Sequence, residues 1–240
     1  MYISFKDKQI QLICYKIYRN LKTNNTAKVN SCYICSVPLR PGIMIEHSKW
    51  LKVRAEVYNK YLVLPRHCEP LGLKIDAADS GWIDMTFSIS GKPYKITLSS
   101  YPEPFVGIRQ WLEDIIVRTD QLDFTLDVDC DTSWNTIFHY EHLYDLDNDG
   151  GLFYLYDSDE DDYLAGYVNF HEFIRLIYTR ILNYALEGEK TDEFKENWLE
   201  YVSEDEYPTG LLSDVFRSEI VETYLKLNNR YETRWQFTKE

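Results

Sequence analysis

Hydrophobic and polar residues alternate over residues 82–90 and again over residues 94–99, on either side of a Ser-Gly-Lys-Pro sequence. Ile83, Met85, Phe87 and Ile89 are the apolar positions of the first stretch. Alternate side chains of a strand point to opposite faces, and glycine permits the tight turn between two strands. The pattern therefore predicts a β-hairpin with one buried face and one solvated face.

The same period of two continues further along the chain. Residues 122–129 alternate apolar with acidic or hydroxyl side chains, and three more segments are rich in aromatic and β-branched residues. Such segments are typical of strands. The predicted strands of this second group are 122–129, 134–144, 151–157 and 163–168.

Helical spacing of apolar residues predicts five helices. They cover residues 5–22, 105–115, 170–187, 192–202 and 214–227. Asn169, Thr191 and Ser213 precede the last three and are suitable N-caps. In the last helix Phe216, Ile220, Tyr224 and Leu227 are expected to face inward.

Residues 49–65 fit either a short helix or two strands. The complete order predicts an α+β fold, with an antiparallel β-sheet, helices packed on one face and a helical C-terminal third.

Charge divides the chain into two parts. Residues 1–70 contain 12 Lys+Arg and 4 Asp+Glu, whereas residues 71–240 contain 14 and 35. We expect a basic, helical or irregular segment at 1–80 and an acidic α+β domain at 81–240. The acidic domain should attract basic proteins and repel nucleic acid and anionic membrane surfaces.

Two observations concern the compartment. The chain has no run of 18 apolar residues and no apolar stretch after its first basic residues, so we expect neither a membrane helix nor a signal peptide. Its five cysteines are an odd number in a long chain, which favours reduced thiols over a disulfide framework. A cytoplasmic protein is the simplest interpretation.

Residues 145–150, Asp-Leu-Asp-Asn-Asp-Gly, match the first half of a calcium-binding loop. The loop also requires a bidentate carboxylate at its twelfth position, which is Tyr156 here. Asp-Gly between apolar runs is instead a strong hairpin signal. We predict a turn without bound calcium at 145–150.

A second acidic run follows within six residues. Its members are Asp157, Asp159, Glu160, Asp161 and Asp162. Mutual repulsion will hold these carboxylates in solvent, either as a simple loop tip or as a docking edge for a basic partner. We take them as the candidate partner-binding residues.

Cys32 and Cys35 form a Cys-x-x-Cys pair that is followed by Glu46-His47. Over about twenty residues this resembles the opening of HNH nucleases, in which such a pair holds zinc. That resemblance implies a zinc site whose weak candidate ligands here are Cys32, Cys35, His67 and Cys68. No second Cys-x-x-Cys follows to complete the tetrahedral site.

Other catalytic motifs are missing from the sequence. It contains no Gly-x-Ser-x-Gly, Walker or Rossmann pattern, and we expect no cofactor. His139 and Glu141 share one side of a predicted strand, and His142 lies on the other.

Three functions remain open. The first is a non-enzymatic acidic domain that binds a basic protein, and bacterial immunity proteins are similar in composition and architecture. The second is a zinc-dependent nuclease or hydrolase. The third is a DNA mimic whose spaced acids include Asp123, Asp127 and Asp129.

Overall fold

A computed structural model describes residues 44–61, 67–101, 103–117, 123–129, 135–143, 150–157, 162–202 and 210–228. The chain divides into two compact units, Met1–Ala55 and Glu56–Glu240. The sheets and all helices after the first belong to the second unit. The predicted helix 5–22 lies outside the described residues, and the boundary that we expected near residue 80 stays a prediction.

The first sheet has three antiparallel strands in the order β1-β2-β3. They are β1 Leu71–Ile75, β2 Trp82–Ile89 and β3 Lys92–Ser99. Ser90 and Gly91 form the turn between β2 and β3 with φ of 50° and 80°. Positive φ at both central residues gives the turn the twist that a two-residue hairpin needs. The predicted hairpin is confirmed, whereas β1 was not predicted.

The second sheet is a four-stranded antiparallel meander in the order β4-β5-β6-β7. Its strands are β4 Asp123–Asp129, β5 Asn135–Leu143, β6 Gly150–Asp157 and β7 Asp162–Asn169. The α+β class is confirmed, but the strands form two sheets where we expected one. The reason is that a helix follows β3, and in the described part of the chain the later strands pair only with their own neighbours in sequence.

The longest helix in the described part of the chain begins immediately after β7. The helices are α1 Met44–Tyr61, α2 Phe105–Val117, α3 Phe170–Gly188, α4 Asp192–Asn197, α5 Leu212–Phe216 and α6 Glu219–Leu227, with a 3₁₀ helix at Leu199–Tyr201. The side chain of Asn169 accepts a hydrogen bond from Glu172 N at 2.9 Å, as an N-cap should. Residues 49–61, for which the sequence allowed a helix or two strands, belong to helix α1.

The continuous helix predicted at 214–227 is wrong. It is broken into α5 and α6, and Ser218 caps α6 by accepting from Val221 N at 3.1 Å. Ser213 lies inside α5, whose N-cap is Leu211. Ile220 and Leu227 are 42% and 78% exposed rather than inward, because the break changes the face that α6 turns toward the core.

Aromatic rings connect the two sheets and helix α3 in one core. The ring of Phe87 on β2 lies 6.0 Å from that of Phe138 and 5.9 Å from that of Phe153, both on the second sheet. Phe173 of α3 packs against Phe153 at 5.0 Å. The second sheet is thus buried on its helix-facing side, and its other face is buried as well at Tyr154, which is 0% exposed.

Candidate functional site

The acidic run begins and ends on the β6–β7 hairpin. Asp157 and Asp162 are its last paired residues, opposite each other across the two strands. Asp162 is exposed and Asp157 is half-buried. Asp159, Glu160 and Asp161 lie outside the described residues. Hydrogen-bonded strands therefore extend to the edge of the acidic run and hold both of its ends.

Tyr94 of β3 binds this hairpin from the first sheet. Its hydroxyl donates to the carbonyl of Asp162 at 2.9 Å and accepts from Asp157 N at 3.2 Å. The ring is 6% exposed, so its position is set by packing as well as by these bonds. One buried phenol thus contacts both strands where the acidic run starts and stops.

The sequence placed Tyr94 only on the apolar face of a strand. The polar role of its hydroxyl had no local signal, because Asp162 is 68 residues away. A buried tyrosine usually needs a hydrogen-bond partner, but only the tertiary structure names that partner.

The face of the second sheet that carries Tyr154 also carries a cluster of polar side chains, including the strand residues that we considered as catalytic candidates. Thr125 Oγ1 lies 2.8 Å from His139 Nδ1, and the His139 ring lies 4.5 Å from that of Tyr154. Register puts Thr125, His139 and Tyr154 on one face, and Glu141 on the same side. His139 is 0% exposed, so its ring is packed among the side chains of this face rather than presented to a ligand.

His142 occupies the opposite face, as its position in the strand predicted. It is buried, and its Nδ1 lies 3.3 Å from the Tyr140 hydroxyl. Its ring also packs edge-on against Phe170 at 5.3 Å. These contacts give His142 a role in the core.

The DNA-mimic alternative needs spaced acids along an exposed face, and its candidate acids lie on β4. Asp123 and Asp127 share the face of Thr125, since residues two apart in a strand point the same way. Asp127 is exposed and Asp123 is half-buried. The Asp129 side chain lies outside the described part of the structure, so this alternative depends on two residues of an edge strand.

The candidate metal ligands are only partly within the described residues. His67 is exposed and Cys68 is half-buried, whereas Cys32, Cys35 and residues 145–149 lie outside. Among the residues that the structure describes, no group of three or more His, Cys, Asp or Glu could hold a metal ion. The zinc site and the calcium-free turn stay predictions.

None of the described helices combines the length and the apolar composition needed to cross a bilayer. No protein-family model matches this chain, and neither the curated proteins nor the solved structures searched contain a significant match to it.

Proposed function

We propose that this chain is a non-enzymatic, acidic protein-binding domain that captures a basic protein, in the manner of an immunity-type antagonist of a basic toxin. The observation that supports it best is the anchoring of the acidic run: the β6–β7 hairpin is paired through Asp157 and Asp162 and bound there by Tyr94. Rigid ends reduce the conformational entropy that a charged loop loses when it binds.

The net negative charge of residues 71–240 favours a basic partner. Residues 71–240 have a net charge of -21, which accelerates the encounter with a cationic surface and opposes binding to phosphate-rich partners. A basic protein is therefore favoured over nucleic acid or a membrane. With reduced cysteines, the proposal places the domain in the cytoplasm.

The proposal includes no catalytic residue. His139, the most enzyme-like side chain of the second sheet, is fully buried against Tyr154. Its hydrogen bond to Thr125, the cross-strand neighbour on the same face, fixes the orientation of the ring. Packing, rather than chemistry on a substrate, accounts for this histidine.

The first test is affinity capture from the native host, followed by mass spectrometry and stopped-flow binding of the purified partner. The charge variant carries Asp159→Asn, Glu160→Gln, Asp161→Asn and Asp162→Asn. We expect association at least tenfold slower at low salt, and a much smaller difference at 1 M salt, where the Debye length is only about 3 Å.

A matched control removes the same charge elsewhere. It carries Glu187→Gln, Glu193→Gln, Asp214→Asn and Glu219→Gln, all exposed in the structure. We expect it to slow association less than the hairpin variant does. An acidic partner, or equal slowing by both variants, would refute the proposed role of the hairpin.

Tyr94→Phe tests the anchoring itself. The ring stays, but the hydroxyl that contacts Asp157 and Asp162 is lost. We expect faster hydrogen exchange at the amides of 157 and 162–164 and slower partner association at unchanged net charge. Unchanged exchange would show that the hairpin does not need this bond.

A further inference from the structure

Two tyrosines lie largely in solvent at the Trp82 end of the first sheet. Tyr101 is 74% exposed and Tyr201 is 51% exposed. Three segments meet there, residues 79–82, 99–101 and 196–201, and we call this surface the tyrosine patch. The core does not account for these two rings, and Tyr is a residue that interfaces favour.

The turn at the centre of the patch is sharply bent. Asp79 and Trp82 exchange backbone hydrogen bonds of 2.8 and 2.9 Å, with Ser80 and Gly81 at φ of 50° and 84°. Only glycine adopts the second value without strain. A Cβ at Gly81 would lie 3.1 Å from Cγ of Tyr201, so the ring of Tyr201 rests directly on this glycine.

Backbone hydrogen bonds hold the three segments together. Gly81 N donates to the carbonyl of Asn197 at 2.7 Å, and Ser100 N donates to the carbonyl of Gly81 at 2.8 Å. Tyr101 N also donates to Ser99 Oγ at 3.1 Å. The patch therefore presents its rings from a fixed backbone, and binding would order little beyond the side chains.

The charge of the patch has one sign. Its three segments contain Asp79, Glu196 and Glu200 and no Lys or Arg. Within the described part of the chain, none of these three carboxylates forms an ion pair. The three segments that present the two tyrosine rings thus also carry three acids, which no cation of the described structure neutralises.

We infer that the tyrosine patch is a docking surface for arginine side chains of the partner protein. A guanidinium stacks on a tyrosine face and at the same time pairs with carboxylates, so it fits a surface that offers both. The inference rests on the proposed function for the identity of the partner as a basic protein. It adds a second contact surface, separate in sequence from the acidic run.

A peptide assay tests the chemistry on the full chain. The probe is a seven-residue peptide of alternating glycine and arginine, and its control has citrulline, a neutral analogue, in place of arginine. In ¹H–¹⁵N spectra we expect the arginine peptide to shift the amides of the three patch segments and the citrulline peptide to leave them unchanged. Equal shifts with both peptides, or none at the patch, would overturn the inference.

Variants then test the rings. Tyr101→Ser with Tyr201→Ser should weaken binding of the arginine peptide about fivefold or more, while Tyr101→Phe with Tyr201→Phe should retain most of it. Because Tyr201 contacts Gly81, Tyr101→Ser alone, at the more exposed position, provides a variant whose fold should not change. Unchanged affinity in the serine variants would remove the patch from the interface.

A matched control deletes exposed apolar groups elsewhere. Val117→Ser with Leu227→Ser changes side chains that are 64% and 78% exposed and should leave peptide binding intact. Sedimentation at two protein concentrations tests whether a second copy of this chain occupies the patch instead. Self-association that the serine variants abolish would make the patch an interface between copies and would refute the inference.

The captured partner separates the two proposals. If the partner is basic and binds the serine variants with unchanged affinity, the inference about the patch is refuted and the proposed function stands. If the partner is not basic, the proposed function fails, and the peptide shifts alone decide whether the patch recognises arginine.

Discussion

Replacing Gly151 by alanine should destabilise the protein through a single methyl group. Gly151 lies on β6 opposite His142. A Cβ there would lie 2.5 Å from both Cζ and the hydroxyl oxygen of Tyr140, and it would also overlap the carbonyl oxygen of Glu141. These separations are far below van der Waals contact, so something must move.

Neither obstacle can move easily. The carbonyl belongs to the backbone of β5, within the ladder of the sheet. The Tyr140 ring is 0% exposed and stacks on Phe173 with centroids 4.8 Å apart and planes at 25°. Overpacking of a core costs about 1–3 kcal/mol, and two rigid obstacles favour the upper end.

Alanine also restricts the unfolded chain, which offsets about 0.4–1 kcal/mol. A net loss of about 2–2.5 kcal/mol in the free energy of unfolding follows. For a unit of this size it should lower Tm by about 5–10 °C. Thermal and urea unfolding monitored by circular dichroism measure both quantities.

Gly107→Ala is the matched control with the opposite expected sign. Gly107 lies in α2, and among the described residues a Cβ there would meet only Cδ1 of Leu126 at 3.4 Å, an ordinary contact. Alanine is the better helix former, so we expect a gain of about 0.5 kcal/mol. A Gly151→Ala protein as stable as the wild type would refute the packing described around Tyr140.

Three further substitutions test the core and its hydrogen bonds. Phe87→Ala empties a site that is 0% exposed between the two sheets and should cost about 3–5 kcal/mol in urea titrations. Tyr178→Phe removes the hydroxyl that accepts from Ser218 N at 2.9 Å and should cost about 1–3 kcal/mol. Burial raises the pKa of Tyr178 above its usual value, so the unfolded chain loses this proton first and stability should fall as pH rises above about 10. The free energy of unfolding should fall less steeply with pH in Tyr178→Phe. Identical pH profiles of the two proteins would contradict the raised pKa of Tyr178. Glu189→Ala removes bonds of 2.6 and 2.7 Å from N and Oγ of Ser213 and should cost about 1–3 kcal/mol, whereas an unchanged urea midpoint would show that the start of α5 does not depend on it.

The sequence alone predicted the elements whose patterns are local and strong. The hairpin at 82–99 and the helix at 170–188 match their predicted bounds within a residue or two. Asn169 was predicted as an N-cap because its short polar side chain reaches the amide three residues on. The acidic run was predicted for the same reason, because its members are neighbours in sequence and no tertiary contact is needed to recognise them.

Where the expectation failed, a distant residue was responsible. The apolar spacing of 214–227 continues through Ser218, yet the helix breaks there. The Ser218 amide is taken by the hydroxyl of Tyr178, which is 40 residues away, and its side chain caps α6. A helix prediction from periodicity includes neither bond.

The division of the strands between two sheets was likewise decided in three dimensions, because each strand pattern shows which face is buried but not which strand is beside it. The positions of Tyr94 against the acidic hairpin and of Tyr201 against Gly81 join segments more than 60 and more than 100 residues apart. Local periodicity determines which elements form. Long-range packing and hydrogen bonds determine how those elements assemble the surfaces that we propose for binding.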